Sequence, residues 1–166
     1  MLKIEALALR HERQAFDCGR GELNGYLRTI ARQHVDKGVS RTYVLIDDGA
    51  PQTIIGFMTL ALCEVIAESL PDRYAKKYPK RAYGVKLGRL AVDQRQQRGG
   101  HGALMLLHGM RKALQVADTT GIVGFFVDAK DEAAQGYYRR FGFIPLPDDA
   151  LRLFLPLATL RKAIEA

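Results

Sequence analysis

Cysteine is scarce in this chain. Its 166 residues include two, Cys18 and Cys63, far apart and outside any CxxC or CxxH setting. That argues against a disulfide framework and against a zinc site, and makes a reducing cytoplasm the expected location. No apolar run nears the roughly 18 residues of a membrane span. The opening residues Met1-Leu2-Lys3-Ile4-Glu5-Ala6 mix charge with apolar side chains too early for a signal peptide. Repeats, low-complexity tracts and Pro/Gly/Ser-rich linkers are lacking too, so one domain over residues 1–166, without metal or membrane attachment, is expected. Hydrophobic residues make up 48% and charged residues 26%, which excludes a disordered chain and leaves enough apolar surface for a core.

Acidic residues are scarce in one place. Residues 71–100 carry Arg73, Lys76, Lys77, Lys80, Arg81, Lys86, Arg89, Arg95 and Arg98 against only Asp72 and Asp93, so the whole net charge of +7 resides there. Such a segment suits a polyanion, either coenzyme phosphates or a nucleic acid backbone. The plainer alternative is a solvated lysine-rich loop that keeps the protein soluble.

Hydrophobic periodicity predicts a mixed α/β fold, with one central, mostly antiparallel sheet flanked by helices. Strands are expected at residues 3–9, Arg41–Ile46, Thr53–Leu62, Tyr83–Val92, Gly121–Asp128 and Arg152–Leu155, with Asp47-Asp48-Gly49 as a hairpin turn. Leu23, Leu27, Ile30 and His34 mark one face of an early helix, with Arg28, Arg32 and Lys37 on its polar side and Gly38 as its stop. A short helix is expected around Pro71–Lys77. A longer one should run from about Gly100 to Thr119, burying Ala103, Leu107, Met110, Leu114 and Ala117. Helices over Asp131–Arg140 and after Pro156 complete the reading.

The segment with most chemical content runs Leu90-Ala-Val-Asp-Gln-Arg-Gln-Gln-Arg-Gly-Gly-His-Gly-Ala103. A strand end leads into a basic turn with three glycines, and the turn opens directly into a helix. Glycines let backbone approach a ligand, and the amides freed at a helix start favour phosphate. A P-loop is excluded because no Gly-Lys-Ser/Thr follows. The dinucleotide fingerprint fails for want of a βαβ start and an acidic residue about 20 positions on. Glycines that merely let the helix pack on the sheet are the remaining alternative. Further on, Asp128-Ala-Lys-Asp-Glu-Ala-Ala-Gln-Gly-Tyr-Tyr-Arg-Arg-Phe-Gly-Phe143 places a Tyr pair on a helix that ends at Gly-Phe.

Together, Gln97-x-x-Gly100-x-Gly102 and the 128–143 segment resemble the GNAT superfamily of N-acetyltransferases. The resemblance implies a GNAT fold and acetyl-coenzyme A as cosubstrate. By that resemblance a backbone N–H of Leu90, Ala91 or Val92 polarises the thioester carbonyl, and the pyrophosphate is held around Gln97, Arg98, Gly99, Gly100, His101, Gly102 and Ala103. Asp128 and Ala133 also fall to the coenzyme, and Tyr137 is either core or a coenzyme wall. Tyr138 matches the family's general-acid tyrosine, the alternative being a packed helix tyrosine. Arg98 departs from the pattern, since glycine commonly follows the glutamine. Its side chain must therefore point outward.

Phe16-Asp-Cys-Gly-Arg-Gly-Glu-Leu-Asn-Gly-Tyr-Leu-Arg28, Ser40–Val44, Gly56–Leu60, Leu87–Asp93 and Leu153–Leu160 further resemble GNAT toxins of type II toxin–antitoxin modules. That implies transfer of acetyl to the α-amino group of aminoacyl-tRNA, which blocks translation, and also a ribbon-helix-helix antitoxin and a homodimer. Arg73, Lys76, Lys77, Lys80 and Arg81 are the expected tRNA contacts, with Arg28 and Arg32 as lesser ones. Arg89 lies either with them or near the reaction centre. Glu64 reads first as a solvated strand-end glutamate and second as a base acting through water. The other functional readings are a GNAT enzyme for a small amine or protein N-terminus, and a non-catalytic nucleic-acid-binding module.

Overall fold

The computed structural model describes residues 1–165. Seven strands form one sheet in the order β1-β2-β3-β4-β5-β7-β6, and helices flank it. They are β1 (Leu2–Ala6), β2 (Arg41–Asp47), β3 (Gly56–Ile66), β4 (Arg81–Val92), β5 (Gly124–Asp128), β6 (Ile144–Leu146) and β7 (Asp149–Pro156). The pairs β1–β2, β2–β3, β5–β7 and β6–β7 are antiparallel, while β4 and β5 run parallel. The mostly antiparallel α/β architecture is thus as expected.

The chain packs as two compact units. The first combines Met1–Ala61 with Gly88–Gly109, and the second Leu62–Leu87 with the chain from Met110 on. In the first, alternation along β2 points Val44 and Ile46 to one face, where Phe57 is the cross-strand partner of Val44. They meet Phe16, Tyr26, Leu27 and Ala91 in a buried cluster. In the second, Val65, Leu70, Ala82, Val123, Phe126 and Phe154 form the corresponding core, with the Phe126 and Phe154 rings stacked at 5.0 Å. Full burial of rings such as Phe57 and Phe154 contributes roughly 1.5–3 kcal/mol each.

The early helix departs from its expected geometry. It consists of α1 (Gly21–Gly25), a π turn over Tyr26–Ile30, and α2 (Ala31–Asp36). A π turn inserts one extra residue, which rotates the downstream face. Ala31 and Tyr26 are therefore buried with Leu27, while Ile30 is 39% exposed. The expected stop is present, since Gly38 takes φ +74° just past the helix.

Other boundaries shift as well. The first strand ends at Ala6, not residue 9, and β3 begins at Gly56, not Thr53. Asp47 Oδ1 accepts the Gly49 amide at 2.9 Å and opens a longer connection than a two-residue hairpin. After α3 (Asp72–Ala75), α4 (His101–Thr119) buries Met105, Leu106, Met110, Ala113 and Leu114. Of its expected stripe, Ala103, Leu107 and Ala117 are only half-buried. Then α5 (Glu132–Arg139) and α6 (Leu157–Glu165) follow as foreseen. Strand β6 was not foreseen: it has three residues, and Pro145 is tolerated there because β6 lies at the sheet edge.

Candidate active site

The turn at residues 93–100 is built on a buried carboxylate. Asp93 is 2% exposed and accepts four hydrogen bonds. Oδ1 takes Arg95 N at 3.0 Å and Arg95 Nε at 2.9 Å, while Oδ2 takes Arg95 Nη2 at 2.9 Å and the Asp17 amide at 3.1 Å. Those donors hold its pKa down at about 2, the Arg95 side chain contributing most. Asp17 in turn receives Asn24 Nδ2 at 2.9 Å, which satisfies the buried Asn24. This knot sets where β4 stops and the glycine turn begins.

Past it, Gln97 folds back, its Nε2 donating to Val92 O at 3.0 Å and Cys18 O at 3.4 Å. Its amide nitrogen thereby braces the turn. Arg98 takes φ +70° and Gly100 φ +77°. Arg98 is the one non-glycine residue at positive φ among the described residues, and its side chain is exposed as its position demanded. The left-handed backbone explains the glycine usual there. In α4 the first amide to find an acceptor is that of Leu104, on Gly100 O at 3.1 Å. The amides of residues 98–103 are left with no acceptor among the described residues, a cradle suited to an anion.

On β4, the Arg89 guanidinium stacks 3.6 Å from the centroid of the Tyr26 ring. The Tyr26 hydroxyl is fixed by His34 Nδ1 at 3.1 Å and Ser40 Oγ at 3.4 Å. The cation is held over a buried, anchored ring, with no carboxylate partner among the described residues. Arg28 is different: it donates to the Gln14 and Phe16 carbonyls at 3.2 and 2.8 Å. That ties down the loop before the helix.

The remaining predicted residues lie in the second unit. Asp131 caps α5 through Oδ1, which accepts the Ala134 amide at 2.8 Å. Ala133 is exposed, Tyr137 half-buried and Tyr138 buried. The Tyr138 ring stands edge-on to Phe143 at 5.7 Å and to Tyr137 at 5.6 Å. Burial, with a lesser effect of Tyr137, pushes its pKa up to about 12. At neutral pH this phenol is therefore protonated. Asp128 sits at the end of β5, 2.7 Å from Lys86 Nζ and 3.7 Å from Arg152 Nε. Its carboxylate is thus engaged by two cations at the strand end.

Arg73, Lys76, Lys77, Lys80 and Arg81 are all exposed. Arg73 and Lys77 lie over the Tyr74 ring at 4.7 and 5.5 Å. Only Arg81 of the five has an acidic partner among the described residues, Glu64 at 3.7 Å, which makes Glu64 an exposed ion-pair partner. Sequence reasoning missed the Asp93 knot and the Arg89–Tyr26 stack. The crowded charges at 93–98 were the one available signal for the former.

Comparison with known proteins places these features in a family. The profile of the Acetyltransferase (GNAT) family matches residues 8–143. Probable toxin TacT of Sinorhizobium fredii is 31% identical over 164 residues, covering 92% of this chain and 88% of that protein. A tRNA-acetylating toxin of Mycobacterium tuberculosis is 32% identical over 150 residues, covering 90% and 89%. Among solved structures, AtaT complexed with acetyl-methionyl-tRNAfMet superposes with a TM-score of 0.87 at 36% identity, covering 99% of this chain and 98% of that one. A Tyr-to-Phe mutant of AtaT bound to acetyl-CoA and the C-terminus of the antitoxin AtaR gives 0.82 at 31% identity, with 99% of both chains covered. Its strand order, its glycine turn and these matches agree: the chain belongs to the acetyltransferase (GNAT) family and is an acetyl-CoA-dependent N-acetyltransferase.

Proposed function

We propose that the protein is the toxin of a type II toxin–antitoxin module and acetylates the α-amino group of the amino acid carried by tRNA, blocking translation. The observation that carries this is the near full-length similarity to proteins named as tRNA-acetylating, one of them bound to an acetylated aminoacyl-tRNA. The exposed cations of residues 73–81 support it, because they offer a surface for phosphates that is barely neutralised by acids.

Acetyl-CoA supplies the acyl group, and the unpaired amides of residues 98–103 are the proposed hold on its pyrophosphate, with Arg98 adding charge. A backbone N–H of Leu90, Ala91 or Val92 polarises the thioester carbonyl. An aminoacyl α-amine titrates near the 7.7–8.0 of a chain terminus, so a sizeable neutral fraction attacks without a strong base. As the N–C bond forms and the C–S bond breaks, the Tyr138 phenol donates to the departing sulfur. The amine sheds its surplus proton to solvent, from which Tyr138 is replenished. Asp128, Ala133 and Tyr137 complete the proposed coenzyme site. A homodimer neutralised by a ribbon-helix-helix antitoxin in the cytoplasm is the matching cellular arrangement.

The test is incubation with radiolabelled acetyl-CoA and a charged tRNA pool. Label on the α-amino group of aminoacyl-tRNA, and none on deacylated tRNA, is expected. Label confined to small amines or protein N-termini sinks the assignment.

A further inference from the structure

Arg89 is a cation without an anion. Among the described residues its guanidinium meets no carboxylate and no other hydrogen-bond acceptor; it meets a ring face, with Cζ 3.6 Å from the centroid of Tyr26. The residue is half-buried on β4. A charge partly withdrawn from water costs free energy unless a partner supplies the opposite sign. Stacking covers the face of the planar group, whereas its N–H donors lie in the plane and stay available.

The ring beneath is a fixed platform. Tyr26 is 4% exposed, lies parallel to Phe57 at 6.4 Å and meets the His34 ring edge-on at 5.5 Å. Its hydroxyl is bonded to His34 Nδ1 and Ser40 Oγ, so the ring can neither slide nor turn freely. Ala91, two residues on from Arg89 along the strand, belongs to the same buried cluster as Tyr26.

Leu90, Ala91 and Val92, whose amides are proposed to polarise the thioester carbonyl, follow Arg89 directly and lie roughly 3–10 Å further along the strand. An amine brought to that carbonyl carries its neighbouring groups within reach of the guanidinium. In an aminoacyl-tRNA the ester, the ribose and the adenine are uncharged. The anion nearest the reacting amine is the phosphodiester joining the last two nucleotides.

We propose that Arg89 receives this phosphodiester, with Tyr26 as its positioning residue, and that the enzyme thereby selects amines carried on a nucleotide over free amines. The inference rests on the aminoacyl-tRNA reading above. A guanidinium fork offers paired donors to two phosphate oxygens, and stacking fixes its direction before the substrate arrives.

The probes are two esters of the amino acid on the tRNA that is labelled best: 3′-O-aminoacyl-adenosine, and the same ester with a 5′-phosphate. With wild type, the phosphorylated ester is expected to lead in kcat/KM by tenfold or more, through KM. Arg89→Met should shrink that lead to within about twofold and leave the KM for acetyl-CoA unchanged. Tyr26→Phe keeps the ring face but frees it from His34 and Ser40, and should raise the KM of the phosphorylated ester with kcat unmoved. On charged tRNA, Arg89→Met should flatten the salt dependence of KM by about one unit of log–log slope. Equal wild-type rates for the two esters, a lead that survives Arg89→Met, or a raised KM for acetyl-CoA in that variant overturns the assignment. If charged tRNA itself takes no acetyl, the aminoacyl-tRNA reading falls and this inference falls with it.

Discussion

Two residues carry charges or protons whose settings can be tested one at a time. Tyr138→Phe keeps the ring that packs on Phe143 but removes the proposed proton donor. It should lower kcat by about 10²–10⁴-fold with acetyl-CoA binding within twofold of wild type, measured by steady-state kinetics and calorimetry. Because the folded pKa of Tyr138 is raised to about 12, the stability linked to its proton is complete below the unfolded value near 10. It is lost as pH climbs from there toward the folded value. Wild-type kcat/KM should therefore rise with amine deprotonation and show no fall up to about pH 9.5.

Asp93 has the opposite sign. Its folded pKa, about 2, is depressed, so its contribution is present above the unfolded value near 4 and fades as pH falls through the folded one. Asp93→Asn should cost about 2 kcal/mol at pH 7, and the difference from wild type should shrink steadily between pH 4 and 2 in denaturant titrations.

At the scale of elements, the turn into α4 concentrates backbone cost. Gly100 has φ +77° with open space where a Cβ would stand, so the penalty of Gly100→Ala is conformational and not steric. We expect a loss of about 1–2 kcal/mol, together with weaker acetyl-CoA binding. Arg98→Gly should act in reverse on stability, raising Tm by about 1–3 °C as the left-handed strain is relieved. A Tm for Arg98→Gly below wild type contradicts the left-handed geometry. The π turn over Tyr26–Ile30 shows the limit of pattern reading at this scale. Spacing of Leu23, Leu27 and Ile30 predicted a regular apolar stripe, yet one inserted residue turns Ile30 outward and Ala31 inward. Nothing in local propensity marks such an insertion, because it is stabilised by what packs on both sides of it.

Over the whole molecule, the net charge of +7 is accounted for by residues 71–100. Replacing Arg73, Lys76, Lys77 and Lys80 with Glu should raise the KM for tRNA at least tenfold near physiological salt. The same variant should flatten the salt dependence by about one unit of log–log slope for each phosphate contact removed. Acetyl-CoA binding, measured alongside, should not move. An unaltered tRNA KM would show that these lysines serve solubility alone.

The glycine turn, the Tyr pair, the basic segment and most strands and helices were legible in the amino-acid order, the edge strand β6 and the π turn excepted. Each is written in residues close together in the chain, whose turn chemistry, periodicity or charge acts locally. What needed the folded chain were meetings between distant residues. Asp93 with Asp17, Arg89 on Tyr26, and Asp128 between Lys86 and Arg152 are each brought together by strand register and helix packing. The inward face of the early helix beyond its π turn needed it too. Spacing within one element cannot encode which partner arrives from another, because the free energy of those contacts exists only once both elements are in place.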